Sequence, residues 1–144
     1  MQDEVEAYLK EHRSMVLSYA CDGEVHAATS CYALADHLVV YFFVFRDSEK
    51  HRAIRARPQV SVVVDDGFTI PMHGIELLGR ASVVSGDEAR TGQQLLSRRF
   101  PQLAEAWNDD RVLIAKVEPE RIRVIDWTQG FGHSRHGTVS KPVS

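Results

Sequence analysis

The run Leu38-Val39-Val40-Tyr41-Phe42-Phe43-Val44-Phe45 leaves the chain few folds to choose from. Successive side chains of a strand point to opposite faces, so this segment is apolar on both. A strand of that kind belongs inside a barrel or at a subunit interface rather than on a surface with one wet side. As a helix it is far too short to cross a bilayer, which takes roughly 20 apolar residues. The next stretch of chain is equally pointed: Asp47-Ser48 breaks the run, and Lys50, His51, Arg52, Arg55 and Arg57 then crowd together ahead of Pro58.

Around this strand the sequence reads as a β protein with marginal helices. Strands are expected at Met15 to Ala20, Val25 to Tyr32, His37 to Phe45, Val60 to Val64, Ile75 to Val84, Val112 to Val117 and Arg121 to Trp127. Asp22-Gly23 predicts a two-residue type I′ hairpin between the first two. Gly79, inside the fifth strand, signals a bulge or a close backbone approach. Val5, Tyr8 and Leu9 at i, i+3, i+4 predict an amphipathic helix over Asp3 to Glu11. Further helices are predicted over Ser48 to Arg57, ended by Pro58, and Asp87 to Phe100. Glu118-Pro119-Glu120 is expected to hinge the last two strands. The Gly-, Ser- and His-rich tail is expected to be mobile from about residue 133. Strands do not alternate regularly with helices, which argues against a doubly wound parallel sheet and for a small closed or partly open barrel in one domain, residues 1–144.

The chain of 144 residues, 44% hydrophobic and 26% charged, needs no staple to hold a core. Its net charge of −3 argues against a surface made wholly for nucleic acid, although Lys50, Arg52, Arg55 and Arg57 could touch a phosphate backbone. Cys21 and Cys31 have no metal spacing and make no disulfide framework. His133 and His136 lack a third ligand in view, so no metal site is expected. The N-terminal segment has no apolar core of a secretory signal, and a cytoplasmic protein is expected.

Three stretches could carry chemistry. With Ser48 as N-cap, the first turn of the following helix offers free amides, a hydroxyl and the Lys50 ammonium to an anion such as phosphate. The competing reading is a capped surface helix whose Asp47 and Glu49 already satisfy the dipole. In the second strand, Thr29, Ser30 and Cys31 are small enough to let a flat ligand approach the backbone. They would equally serve as cross-strand partners, with Cys31 a small core hydrophobe. In the segment DWTQGFG, Trp127 and Phe131 could stack on an aromatic ligand, with Gly130 and Gly132 permitting the turn.

The order and spacing of ATSCYALADHLVVYF, the S-x-K step in DSEKHRAIRARPQVSVVV, GIELLGRASVV and the GFG after the last strand resemble the FMN-binding split-barrel superfamily typified by pyridoxamine 5′-phosphate oxidase. Within it the chain looks most like the short bacterial YhbP-like branch. The resemblance implies a six- to seven-stranded antiparallel split β-barrel with flanking short helices. It implies a homodimer holding FMN in grooves at the dimer interface and oxidoreductase chemistry on a small organic substrate; the alternative is a non-catalytic ligand-binding or sensor barrel holding haem, deazaflavin or another ligand, as related barrels do. Carried over, Ser48, Lys50 and the neighbouring His51 fall at the phosphate, Phe43 and Val44 beside the phosphate and ribityl chain, and Thr29, Ser30 and Cys31 at the flavin ring. Trp127 and Phe131 would lie near a groove, their own or the partner's. The resemblance assigns no catalytic residue. Two departures remove positive charge: Ala27-Ala28 stands where the oxidases carry an arginine, and Glu49 replaces a second one.

Overall fold

The computed structural model describes residues 1–141. Eight strands and three helices follow in the order α1 (Gln2–Glu11), β1 (Ser14–Cys21), β2 (Glu24–Cys31), β3 (Ala33–Leu34), β4 (Val40–Phe45), α2 (Glu49–Ala56), β5 (Gln59–Asp65), β6 (His73–Val83), α3 (Gly86–Arg99), β7 (Val112–Asp126) and β8 (Ser134–Thr138). All ladders are antiparallel and belong to one sheet, ordered β2-β1-β5-β6-β7-β4-β3, with β8 added to β7.

That order curls the sheet. Its two ends, β2 and β3, are separated in the chain by Tyr32 alone, so one continuous segment closes the barrel where hydrogen bonds do not. Tyr32 is fully buried, and its hydroxyl donates to the carbonyls of Leu9 and His12, the latter at 3.0 Å, tying α1 over the end of the barrel. Leu17, Phe42, Val62, Leu77, Val117 and Val124 fill the interior. The two-sided apolar strand is β4: Val40, Phe42 and Val44 face this core, while Tyr41 and Phe43 face a second cluster beneath α3, built with Leu96, Ile114 and Trp107. Its outer face is therefore covered by a helix of the same chain.

Asp22 and Gly23 both have positive φ, at 52° and 80°, and Cys21 pairs with Glu24, as the predicted two-residue hairpin requires. Elsewhere the boundaries differ from the sequence reading. The third strand starts at Val40, because Asp36–Leu38 forms a 3₁₀ turn and the Ala35 amide donates to the Val39 carbonyl at 2.8 Å, closing a hairpin loop between β3 and β4. Glu118-Pro119-Glu120 does not divide two strands. β7 runs through it for 15 residues, with the register slipping at Leu78/Gly79 opposite, so the hinge is a bulge inside one strand.

The expected mobile tail is instead partly a strand. Beyond Val117, β7 has an edge that β4 does not reach, and β8 pairs with it from Arg121 to Ile125. Arg135 bonds Glu4 of α1 at 2.7 Å. An unpaired edge within reach of the chain is a stronger organiser than local composition. The positions after Lys141 lie outside the described residues.

A polar knot fastens α1 to the β5–β6 loop. The His12 ring stacks on Tyr8 at 3.9 Å, its Nδ1 lies 2.7 Å from the Tyr8 carbonyl and its Nε2 meets the Asp66 carboxylate. Both partners only accept, so the ring bonds to both as an imidazolium. Burial works against that charge, but the bonds to Tyr8 and Asp66 outweigh it and raise the His12 pKa, while the His12 bond lowers that of Asp66. A raised folded-state value contributes stability that is complete below the unfolded value, 6.5, and fades as pH rises through the folded one. The Asp66 contribution is complete above 3.8 and fades as pH falls through its lowered value. Protection of the α1 amides, measured against their intrinsic exchange rates, is therefore expected to be greatest between those limits and to fall into the alkaline range. His12→Gln should abolish the alkaline change; an unchanged profile in that variant would assign the change to another group.

Candidate cofactor groove

The groove is built by the place where the barrel fails to close. β3 pairs with β4 only at Ala33–Tyr41 and Leu34–Val40. Were that register continued, Cys31 would face Phe43 and Thr29 would face Phe45. Instead β2 swings away along β1, and a gap opens between the two strands. It holds about 460 Å³ and is lined by Thr29, Ser30 and Cys31 from one wall, Phe43, Val44 and Phe45 from the other, Tyr19 of β1, and Ser48, Glu49 and Lys50 at the start of α2. Seven of the ten residues singled out in the sequence thus line one cavity: Thr29, Ser30, Cys31, Phe43, Val44, Ser48 and Lys50.

The wall at Thr29 to Cys31 offers small side chains and an edge of β2 that, among the described residues, has no strand partner on the side facing β4. The Ser30 hydroxyl donates to the Cys31 carbonyl at 2.9 Å. Burial raises the Cys31 thiol pKa, against the smaller lowering effects of its own backbone and of the Arg99 charge. Cys31 is a neutral thiol near pH 7, not an activated nucleophile. Opposite it, Phe43 contacts Trp107 edge-on at 6.1 Å and is held in place from behind.

The α2 end carries the charge. A turn with Asp47 at φ 61° brings the Ser48 amide to the Phe45 carbonyl at 3.1 Å and starts the helix directly beside β4. Ser48 is the N-cap: its Oγ accepts from the His51 amide at 3.2 Å. The amides of Glu49 and Lys50, in the first turn, have no partner within the helix. Lys50 is half-buried, burial lowers its pKa, and it makes no ion pair among the described residues. Glu49 is engaged on its other side: the Tyr19 hydroxyl donates to its carboxylate at 3.1 Å, and His26 Nδ1 stands 3.5 Å away. Burial and then the Glu49 bond raise the Tyr19 pKa.

The other three expected site residues sit elsewhere. His51 is buried beneath α2, where its Nδ1 accepts from the Asp47 amide at 2.9 Å; it shapes the turn and does not line the groove. Trp127 and Phe131 pack on each other with centroids 5.0 Å apart in the β7–β8 turn, away from the groove of their own chain, and Phe131 is 92% exposed. Tyr19, Phe45 and Glu49 were not singled out as lining residues. The alternation of β1 and β4 could have placed Tyr19 and Phe45 on a face, but only the splaying of β2 makes that face a cavity.

Among the described residues no helix is long and apolar enough to cross a membrane, and no three His, Cys, Asp or Glu side chains cluster to hold a metal ion.

Solved structures of the same shape support the architecture. A haem-binding protein from Mycobacterium smegmatis superposes with a TM-score of 0.77 at 16% identity, over 90% of this chain and 54% of that one. The chain therefore spans about half the length of that relative. General Stress Protein 26 from Bacillus anthracis gives 0.73 at 20% identity over 94% and 98% of the two chains. A FAD-binding protein from Mesorhizobium loti gives 0.71 at 19% over 98% and 95%. At these identities the likeness concerns the fold. A search of curated proteins gives no match. The family profile described as pyridoxamine 5′-phosphate oxidase matches residues 1–126, which takes in α1, both walls of the groove and α2. On that match, the chain belongs to the pyridoxamine 5′-phosphate oxidase family.

Proposed function

We propose that the groove between β2 and β4 binds a flavin carrying a phosphate, FMN being the simplest, and that the protein works as a homodimeric oxidoreductase. The observation that carries this reading is Lys50: a half-buried ammonium with no ion-pair partner among the described residues, at the mouth of a cavity that also offers two unpaired helix amides. Burying a cation at the positive end of a helix is unfavourable without an anion, and a phosphate supplies one. The ring would lie along Thr29 to Cys31, where small side chains and free backbone edges can meet its polar rim, with Phe43 and Val44 opposite. The flavin, when bound, supplies hydride or electron transfer; the protein supplies orientation and hydrogen bonds. This agrees with the neutral Cys31 thiol and the absence of a nucleophile–base pair in the lining.

A second copy of the chain is the partner in this reading. Phe68, Ile70 and Phe131 are 77%, 76% and 92% exposed on two adjoining loops, joined where the Trp127 amide donates to the Met72 carbonyl. Large apolar side chains exposed so fully call for cover, and the partner's groove rim gives Trp127 and Phe131 the ligand-side role expected of them. Within the family we place the chain nearest the YhbP-like branch, on the S-x-K step at Ser48 and Lys50.

The test is a visible spectrum of the purified protein, alone and titrated with FMN, with its mass in solution by light scattering. Flavin absorbance that shifts on binding, bleaches with NAD(P)H and accompanies a dimeric mass is the expected result. No binding at high micromolar flavin overturns the reading, and a co-purifying Soret band would give the groove to haem.

A further inference from the structure

α2 has a second face that the groove does not use. His51, Ile54 and Arg55 stand at i, i+3 and i+4, the spacing of neighbours on one side of a helix. Facing them are Ala81, Ser82 and Val83 at the end of β6. Pro58 closes one end, its carbonyl accepting from the Ala81 amide at 2.8 Å. The hollow between these residues holds about 410 Å³, enough for a small molecule, and shares no lining residue with the groove.

Its polar lining is made of donors. The Asp47 amide donates to His51 Nδ1, and an amide can only donate there, so the ring carries its proton on Nε2. That N–H meets no acceptor among the described residues, although the side chain is only 7% exposed. His51 lines this hollow and not the groove, and its Nε2 is not among the sealed, unpaired polar atoms, so the N–H opens into the hollow. Arg55 makes no ion pair among the described residues, and no carboxylate lines the hollow. Glu118 and Glu120 belong to the adjoining hollow past Ser82, where Arg80 and Lys141 accompany them and Glu118 stands 3.6 Å from Lys116. A guanidinium and an imidazole N–H can only donate, and the Ser82 hydroxyl can do so as well. Ile54, Ala81 and Val83 supply apolar surface beside them. Such a lining matches an anion with two acceptor oxygens on an apolar body.

We propose that this hollow is a second ligand site, for a small carboxylic acid with an apolar body. Arg55 and Ser82 hold the carboxylate at the rim, and the His51 Nε2–H donates to it from the floor. The site does not depend on what the groove holds, but the two are joined through His51. Its ring accepts from the Asp47 amide and its own amide donates to Ser48 Oγ at 3.2 Å. An acceptor on Nε2 makes Nδ1 a stronger acceptor in turn, tightening the Asp47 turn.

The probes are benzoate, uncharged benzamide and inorganic phosphate at matched ionic strength, followed by amide NMR of the full chain. Benzoate is expected to shift the amides of residues 81–83, to move the Asp47 amide downfield, and to bind about tenfold tighter than benzamide. Arg55→Gln should remove that tenfold preference, and Ser82→Ala should weaken benzoate about threefold. Both side chains are exposed, so neither variant is expected to unfold. Phosphate shifting the same amides as strongly as benzoate would reduce the hollow to a nonspecific contact at Arg55. Benzoate shifts that leave residues 81–83 untouched and vanish in Lys50→Ala would place the anion in the groove. Either result overturns the inference, as does equal affinity for benzoate and benzamide or no shift at millimolar benzoate.

Discussion

Lys50→Ala is expected to weaken binding of a phosphate-bearing flavin about a hundredfold while making the unliganded protein slightly more stable. The loss follows from removing the one ammonium in the groove lining: a charge-assisted bond to phosphate in a partly dry site is worth roughly 2–3 kcal/mol, which is about a hundredfold in affinity. The gain in stability follows from the same residue viewed without ligand. Lys50 occupies the first turn of α2, at the positive end of the helix dipole, and burial already disfavours its charge. Taking that cation away removes an unfavourable term of about 0.3–1 kcal/mol. A structural lysine would behave in the opposite way, its removal costing stability and leaving affinity untouched. Riboflavin is the control, since without a phosphate it should bind both proteins alike. Urea unfolding of the apo forms and flavin titration of each read the two effects independently. Affinity for FMN and FAD within about threefold of the unaltered chain would release Lys50 from the role assigned to it.

Much of this site was legible before the structure, for reasons that differ from residue to residue. Ser48 and Lys50 stand out locally as a cap followed by a cation where the dipole prefers an anion, but that pattern fits a capped surface helix equally, and the S-x-K step of the family resemblance is what places them at a phosphate. Phe43 and Val44 come from the family resemblance alone, the two-sided apolar strand placing them only inside a barrel or at an interface, and Thr29 to Cys31 stand out as small residues in the middle of a strand. The cavity itself was out of reach. It depends on β3 pairing with β4 for two residues and then parting from it, a long-range event that no local pattern encodes. Glu49 shows the same limit: its sequence position announces a charge beside the anion site, but only the folded barrel brings Tyr19 and His26 against it, 30 and 23 positions away in the chain.

Misjudged boundaries share a cause as well. Pro119 between two glutamates reads locally as a hinge, and the Gly- and Ser-rich tail as loose chain. In the structure a neighbour decides both. β7 takes up the proline in a bulge opposite Leu78 and Gly79 of β6, and its spare edge captures residues 134–138. Edge pairing and bulges are properties of two strands at once, so a reading of one strand misplaces them.

Gly79→Ala should expose how far the groove depends on that bulge. A Cβ at position 79 would stand 2.2 Å from the Glu118 carbonyl oxygen and 2.7 Å from the Pro119 Cα, both backbone atoms that no rotamer change can move. The backbones of β6 and β7 must separate, and overpacking of this kind costs up to about 3 kcal/mol, a large share of a stability of roughly 5–15 kcal/mol. Gly74, in the same strand, gives the comparison: its Cβ would meet Asp65 Cβ at 3.4 Å, an ordinary contact, so Gly74→Ala should be neutral or stabilise by up to about 1 kcal/mol. Neither loss nor gain can be put down to left-handed backbone, because neither glycine has positive φ. The effect of Gly79→Ala should also reach the ligand. The bulge lies just past Val117, where β7 stops pairing with β4 and starts toward β8. It sets the angle at which β7 presents β4, and with it Phe43, Val44 and Phe45, across the gap from β2. Flavin affinity is therefore expected to fall together with stability in Gly79→Ala and to be retained in Gly74→Ala. Urea unfolding that differs by less than about 0.5 kcal/mol between Gly79→Ala and the unaltered chain would mean that β6 and β7 have room to part there, and the bulge would cease to be what holds the groove open.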